Sequence, residues 1–117
     1  MKRILIFHSN QQSIAELQSE LAGFCDFYAT FDFKTTREIL KKKEFDCFVL
    51  HSPSISDTEM QRESLRLLKY LNRHPYQSLT KIVVCTNEDN QQVKDYLKLG
   101  VTAIVGDGKG VRLVLGE

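Results

Sequence analysis

The chain has 117 residues, of which 42% are hydrophobic and 26% are charged, and its formal net charge at pH 7 is +1. That length suits one compact core, so we expect a single domain over residues 1–117. The near-neutral charge argues against nucleic acid or a membrane as a partner, and the apolar runs are too short for a signal peptide or a membrane span, so we expect a cytoplasmic protein.

Apolar runs without alternation predict strands that are buried on both faces, and apolar residues three or four apart predict helices. In chain order we expect a strand at residues 3–7, a helix at 13–22, a strand at 26–31, a helix that ends at 42, a strand at 46–50, a helix at 57–71, a strand at 81–85, a helix at 89–99 and a strand at 102–105. This alternation predicts an α/β fold, a flavodoxin-like doubly wound sheet of five parallel strands in the order 2-1-3-4-5.

The first two helices carry candidate capping residues. Ser13 is expected to cap the first helix, and Gly23 to end it. Thr35 or Thr36 is expected to cap the second helix, and Glu38 completes a capping box if the cap is Thr35. The lysine run at residues 41–43 is expected to be the solvated last turn of that helix, where cations suit the helix dipole. A phosphate-binding role is the second interpretation of this run.

The three cysteines of the chain are Cys25, Cys47 and Cys85. They are odd in number, they form no CxxC pair, and each lies in or beside an apolar run. We therefore expect buried, reduced thiols and no zinc site.

The segment after the fifth strand, KGVRLVLGE at residues 109–117, is too short for a full-length helix. Val111, Leu113 and Leu115 alternate with Arg112 and Val114, which is typical of a strand. We expect an antiparallel edge strand or, alternatively, a shortened fifth helix. The edge strand would leave one sheet face uncovered, and either a longer parent protein or a homodimer would then cover that face. The preceding GDGKG at residues 106–110 is expected to be a flexible turn, because it lacks the spacing of a phosphate loop.

Polar side chains follow the carboxyl ends of four predicted strands. They are His8 and Ser9 after the first strand, His51 after the third, Thr86 after the fourth and Asp107 after the fifth. In a doubly wound sheet the working crevice lies at this edge, so we expect these five residues to lie together.

The chain resembles the receiver domains of bacterial two-component response regulators over nearly its whole length. RILIFHSN resembles the first strand of that family with the two acidic residues after it, and FDCFVLHSP resembles the third strand, which ends in the phosphoacceptor aspartate. KIVVCT resembles the fourth strand with its hydroxyl residue, and LKLGVTAIVGDG resembles the helix, glycine and fifth strand that precede a lysine-proline pair.

The resemblance implies that the phosphorelay chemistry of the family is lost. It places His8 and Ser9 at the acidic pair that holds Mg²⁺, His51 at the acceptor and Asp107 at the lysine, and only Thr86 keeps the residue type of the family. No aspartyl phosphate can form at a histidine, and neutral imidazole binds Mg²⁺ poorly. The implied protein is a degenerate pseudo-receiver: not an enzyme, without a cofactor, and acting through a protein partner or as a homodimer.

Three interpretations of the pocket remain open. A neutral His51 imidazole can fill the vacated space and form a hydrogen bond with Ser9, Thr86 or Asp107. Two imidazoles and a carboxylate, from His8, His51 and Asp107, can instead form a Zn²⁺ site. Phosphorylation of His51 itself is the third interpretation. The second and third correspond to an alternative function, a phosphorelay receiver with metal-dependent or phosphohistidine chemistry.

Overall fold

A computed structural model gives the structure of the chain and describes residues 2–7, 11–52, 58–73, 75–85 and 90–116. Strands and helices alternate throughout the described residues. They are β1 Lys2–Phe7, α1 Gln11–Leu21, β2 Cys25–Thr30, α2 Phe33–Lys42, β3 Cys47–His51, α3 Thr58–Leu71, β4 Thr80–Val84, α4 Asn90–Lys98, β5 Ala103–Val105 and α5 Gly108–Val114. Among the helices of these described ranges, none combines the length and the apolar character that crossing a membrane requires.

The five strands form one sheet in the order β2-β1-β3-β4-β5, and every neighbouring pair is parallel. The predicted fold class and strand order are therefore confirmed. Val49 at the centre of β3 lies beside Ile6 of β1 on one side and Ile82 of β4 on the other. All three side chains are fully buried, as expected for central strands covered on both faces.

Two hydrophobic clusters lie on opposite faces of the sheet, because successive strand residues point to opposite sides. One cluster joins the sheet to α2, α3 and α4, and its members include Leu5, Phe7, Phe48, Leu50, Val83, Leu40, Leu67, Leu68, Leu71 and Tyr96. The other joins the sheet to α1 and α5, and its members include Ile4, Ile6, Val49, Ile82, Val84, Ile14, Leu17, Leu21, Val111 and Leu115.

Two predicted helix starts are wrong, while most other boundaries agree within a residue or two. Helix α1 begins at Gln11, so Ser13 lies inside the helix and does not cap it. Helix α2 begins at Phe33 and is capped by Asp32, whose carboxylate accepts a hydrogen bond of 2.7 Å from the Thr35 amide. The carboxylate one turn earlier caps the helix, and this places Phe33 in the first turn, where the ring is buried.

The C-terminal segment forms helix α5, so the predicted edge strand is wrong and the alternative, a shortened fifth helix, is confirmed. Val111 and Leu115 are four residues apart and both are buried against the sheet, while Leu113 points away and is 70% exposed. Helices α1 and α5 together cover the sheet face that the edge strand would have left open. The argument for a homodimer based on an uncovered face therefore does not apply.

The predicted turn at GDGKG is wrong for residues 108–110, which form the first turn of α5, and the glycines let this helix lie close to its neighbours. A Cβ at Gly108 would lie 2.8 Å from Glu20 Cβ of α1, and a Cβ at Gly110 would lie 2.6 Å from Val105 Cβ of β5. The Glu20 carboxylate also accepts a hydrogen bond of 3.2 Å from the Lys109 amide in the first turn of α5. An anion at a helix N-terminus stabilises the helix, so this contact helps a short helix to form.

Candidate functional site

His51 is the last residue of β3 and lies at the carboxyl edge of the sheet, beside Val84 of β4. Its side chain is half-buried. By the alternation along the strand, His51 lies on the same face as Cys47 and Val49, which is the face covered by α1 and α5. The structure therefore places the imidazole at the edge where the crevice of a doubly wound sheet lies.

Burial lowers the pKa of the His51 imidazole below its ordinary value. A hydrogen bond with the Ser52 backbone and the negative charge of Glu16 in α1 act in the opposite direction, but they are weaker than the effect of burial. The imidazole is therefore mainly neutral at pH 7. The sequence does not single out Glu16, because a glutamate in the first helix is ordinary and only the fold brings its charge to act on His51.

The next residue, Ser52, connects this edge of the sheet to α4. Its amide donates a hydrogen bond of 2.8 Å to the Val84 carbonyl, and its hydroxyl lies 2.8 Å from the phenolic oxygen of Tyr96. Tyr96 is buried, and burial is the main cause that raises its pKa, so its hydroxyl stays protonated at neutral pH. The sequence predicts the helix at residues 89–99 from its apolar spacing alone and does not single out Tyr96. The missed signal was its hydroxyl, since a buried tyrosine usually has a hydrogen-bond partner.

Asp107 has a structural role that the sequence did not reveal. It is exposed and caps α5, and its carboxylate accepts a hydrogen bond of 2.9 Å from the Gly110 amide. His8, Ser9 and Thr86 lie outside the described residues, so the grouping of all five residues stays a prediction. Within the described part of the chain, no group of three or more His, Cys, Asp or Glu residues is arranged to hold a metal ion.

Cys25, Cys47 and Cys85 are buried and form no disulfide with one another, as the sequence predicted. Burial raises the pKa of Cys47 to about 12 and is also the main cause that raises the pKa of Cys25. Both thiols are therefore protonated at neutral pH, and a protonated thiol is a poor nucleophile. Thiol chemistry at Cys25 and Cys47 is not what this arrangement supports.

No family model and no curated protein matches the sequence, whereas solved structures match the fold. The signal receiver domain of an HD domain-containing protein from Pseudomonas fluorescens Pf-5 matches with a TM-score of 0.79 and 18% identity, over 97% of this chain and 83% of that one. The Mn²⁺-bound response regulator Rcp1 matches with a TM-score of 0.72 and 12% identity, over 98% of this chain and 89% of that one. The phosphorylated cyanobacterial phytochrome response regulator RcpA matches with a TM-score of 0.76 and 13% identity, over 97% of this chain and 88% of that one.

This chain has the receiver-domain fold. At these identities the likeness concerns the fold, and the chemistry must be argued from the residues of this chain. The residue at the carboxyl end of β3 is His51. At the carboxyl end of β3, the neutral imidazole of His51 thus lies on the sheet face covered by α1. One residue later, the hydroxyl of Ser52 is hydrogen-bonded to Tyr96 of α4.

Proposed function

We propose that this chain is a degenerate receiver, a signalling module that acts through protein contacts and not through phosphorylation of residue 51. The observation that carries the proposal is His51, a half-buried imidazole with a lowered pKa at the end of β3. In this proposal the chain has no catalytic activity and needs no cofactor. Its partner is a protein, as is usual for receiver domains.

The chemistry of residue 51 supports this proposal. Phosphoryl transfer to a receiver needs a carboxylate nucleophile and a divalent cation that neutralises the developing charge. Two proteins of this fold are described as Mn²⁺-bound and as phosphorylated, respectively. In this chain the position after β1 that would hold the metal is occupied by His8 and Ser9, and a neutral imidazole is a weak ligand for Mg²⁺.

The charges near this edge also oppose a phosphoryl group. The resemblance expects a lysine where Asp107 stands, so an anion replaces the cation that would pair with the phosphorylated side chain. The Asp107 carboxylate is already used as the cap of α5. Among the described residues, the charge of Glu16 acts on His51, and it is also negative. A dianionic group on residue 51 would therefore be repelled by Glu16, and the lysine that the resemblance expects is absent at residue 107.

Intact-mass spectrometry after incubation with acetyl phosphate and Mg²⁺ tests the proposal. We expect no phosphoryl adduct on the native protein, under conditions in which an authentic receiver domain becomes fully modified. The matched variant His51→Asp restores a carboxylate at the end of β3 and reports whether the remaining pocket can support transfer. A single adduct on the wild type that disappears in His51→Ala would show phosphohistidine chemistry and would overturn the proposal.

A further inference from the structure

A groove lies at the amino edge of the sheet, between the end of α2 and the turn that leads from α3 to β4. Its volume is about 820 Å³, and we call it the lysine groove. Its lining includes the lysine run at residues 41–43 at the end of α2, and Tyr76 and Leu79 from the segment before β4. Leu40 and Phe45 also line it. The groove thus combines ammonium groups with apolar side chains.

The lysine groove is separate from the candidate site at His51. Its residues precede β3 and β4, whereas His51 ends β3. Five residues of extended strand span about 16 Å, so a ligand in the groove does not reach the imidazole. The groove is also remote from α4, which contacts the other end of β3 through Tyr96 and Ser52.

Two of the three lysines are available for a ligand, because the third is engaged by the fold. The Lys43 ammonium lies 5.0 Å from the centre of the Tyr28 ring, which gives it a cation–π contact. Lys41 and Lys42 are exposed and also line the groove. Asp46 also lines the groove, and its carboxylate accepts a hydrogen bond of 2.8 Å from the Arg3 amide. This bond fixes the start of β3 against β1.

The distribution of charge favours a peptide over a nucleic acid. Glu44 and Asp46 line the groove directly after the lysines, so a uniformly charged phosphate backbone would meet repulsion along part of its path. A peptide can place carboxylates only where the lysines are. The aromatic rings are also unsuited to base stacking, since the Phe45 ring contacts Tyr28 at 5.7 Å and the Tyr76 ring contacts Tyr70 at 5.5 Å.

We propose that the lysine groove binds an acidic segment of a partner protein, with its carboxylates on Lys41 and Lys42 and one apolar side chain against Phe45 and Leu79, which are partly exposed. The charge complementarity sets the orientation, and burial of the apolar anchor contributes the affinity. This inference rests on the proposed function as an interaction module and names the chemistry of the partner. It assigns to the lysine run a role beyond a solvated helix end.

Fluorescence anisotropy with a labelled synthetic peptide, a leucine flanked on both sides by glutamates, tests this inference. The reference peptide carries glutamine at each glutamate. The variant Lys41→Glu/Lys42→Glu removes the cations of the groove, and Lys94→Glu/Lys98→Glu makes the same change of charge on α4, at two exposed lysines. We expect the groove variant to weaken binding of the acidic peptide by about tenfold or more, and the α4 variant to leave it within about twofold.

Three outcomes would overturn the inference: no binding of the acidic peptide by the wild type, equal losses in the two variants, or tighter binding of a single-stranded oligonucleotide of equal charge. The phosphodonor experiment is independent of all three. If the peptide fails to bind while residue 51 stays unmodified, the inference about the lysine groove is wrong and the proposed function stands. If a phosphoryl adduct forms on residue 51 while the peptide binds normally, the proposed function is wrong and the inference about the lysine groove stands.

Discussion

The hydroxyl of Ser52 lies 2.8 Å from the phenolic oxygen of Tyr96 and joins the end of β3 to α4 by a hydrogen bond between two side chains. Ser52 directly follows His51, and the two side chains point to opposite faces of the sheet. Ser52 points towards α4, and His51 points towards α1. A change in the conformation of the β3 end therefore bears on both helices at once. Tyr96 is 1% exposed, so its hydroxyl cannot exchange this partner for bulk water.

Tyr96→Phe removes one side of this hydrogen bond and keeps the ring. We expect the free energy of unfolding to fall by about 1 kcal/mol, the usual net value of a hydrogen bond between uncharged groups. Urea denaturation followed by circular dichroism measures the change. The slope of the transition should stay the same, because the surface exposed on unfolding does not change.

A double-mutant cycle with Ser52→Ala isolates the interaction from the other effects of each substitution. If the two hydroxyls are bonded to each other, the double variant loses less stability than the sum of the single variants, by about 0.5–1.5 kcal/mol. Additive losses would contradict the contact between Ser52 and Tyr96.

The sequence predicted the sheet well because its information is local and repeated. Each central strand is an uninterrupted apolar run, and only burial on both faces explains such runs. The segment VRLVL was ambiguous, because Val111 and Leu115 satisfy a strand period of two and a helix period of four alike. Only packing against α1 decides between them, and that contact depends on residues some 90 positions away, such as Glu20, whose carbonyl lies 3.4 Å from the Arg112 guanidinium.

The candidate site was predicted less completely, for a physical reason. The position of His51 at a strand end follows from the apolar run before it. Whether a carboxylate such as Asp107 faces a pocket or caps a helix depends on where the next helix starts, and Asp is suited to both roles. Glu16 acts on His51 from a different element, and Ser52 bonds to Tyr96 of a different element. Because each contact joins two elements, the residue pattern within one element does not predict it.

Gly110→Ala tests the close approach of α5 to β5. The new Cβ would lie 2.6 Å from Val105 Cβ, an atom fixed to the strand, so α5 must move. We expect overpacking to cost about 1–3 kcal/mol, which outweighs the roughly 0.5–1 kcal/mol that alanine gains over glycine within a helix. Thermal unfolding of Gly106→Ala is the control, since a Cβ at Gly106 meets no atom within 4 Å. Equal melting temperatures for the two variants would contradict this packing.

Leu115→Ala and Leu113→Ala distinguish a helix from a strand at the C-terminal end. Leu115, the C-cap of α5, is 8% exposed, and Leu113 within α5 is 70% exposed. We expect Leu115→Ala to cost about 2 kcal/mol or more, because it leaves a cavity in the core, and Leu113→Ala to change stability by at most about 0.5 kcal/mol. The two substitutions remove the same atoms, so each is the control of the other. Similar costs would instead indicate a strand, in which both side chains share a face.

His51 should make the stability of the protein depend on pH just below neutrality. Its folded pKa is lower than the ordinary value of 6.5, mainly through burial, so the unfolded state binds more protons as the pH falls below about 6.5. The sign follows from linkage: stability is fully present above the unfolded pKa and is lost as the pH falls towards the folded pKa. Burial opposes protonation of the imidazole, whereas Glu16 and the Ser52 backbone favour it and moderate the loss.

Comparison of the wild type with His51→Gln measures this effect, because glutamine is polar, of similar size and does not titrate. We expect the free energy of unfolding from urea titrations to fall more steeply in the wild type than in the variant between pH 7.5 and pH 5.5. The other titrating groups are common to both proteins and cancel in the difference. A constant difference over this pH interval would mean that the imidazole has the same pKa in both states. A steeper fall in the variant would mean that the charged imidazole is stabilised by folding, and Glu16 would then outweigh burial.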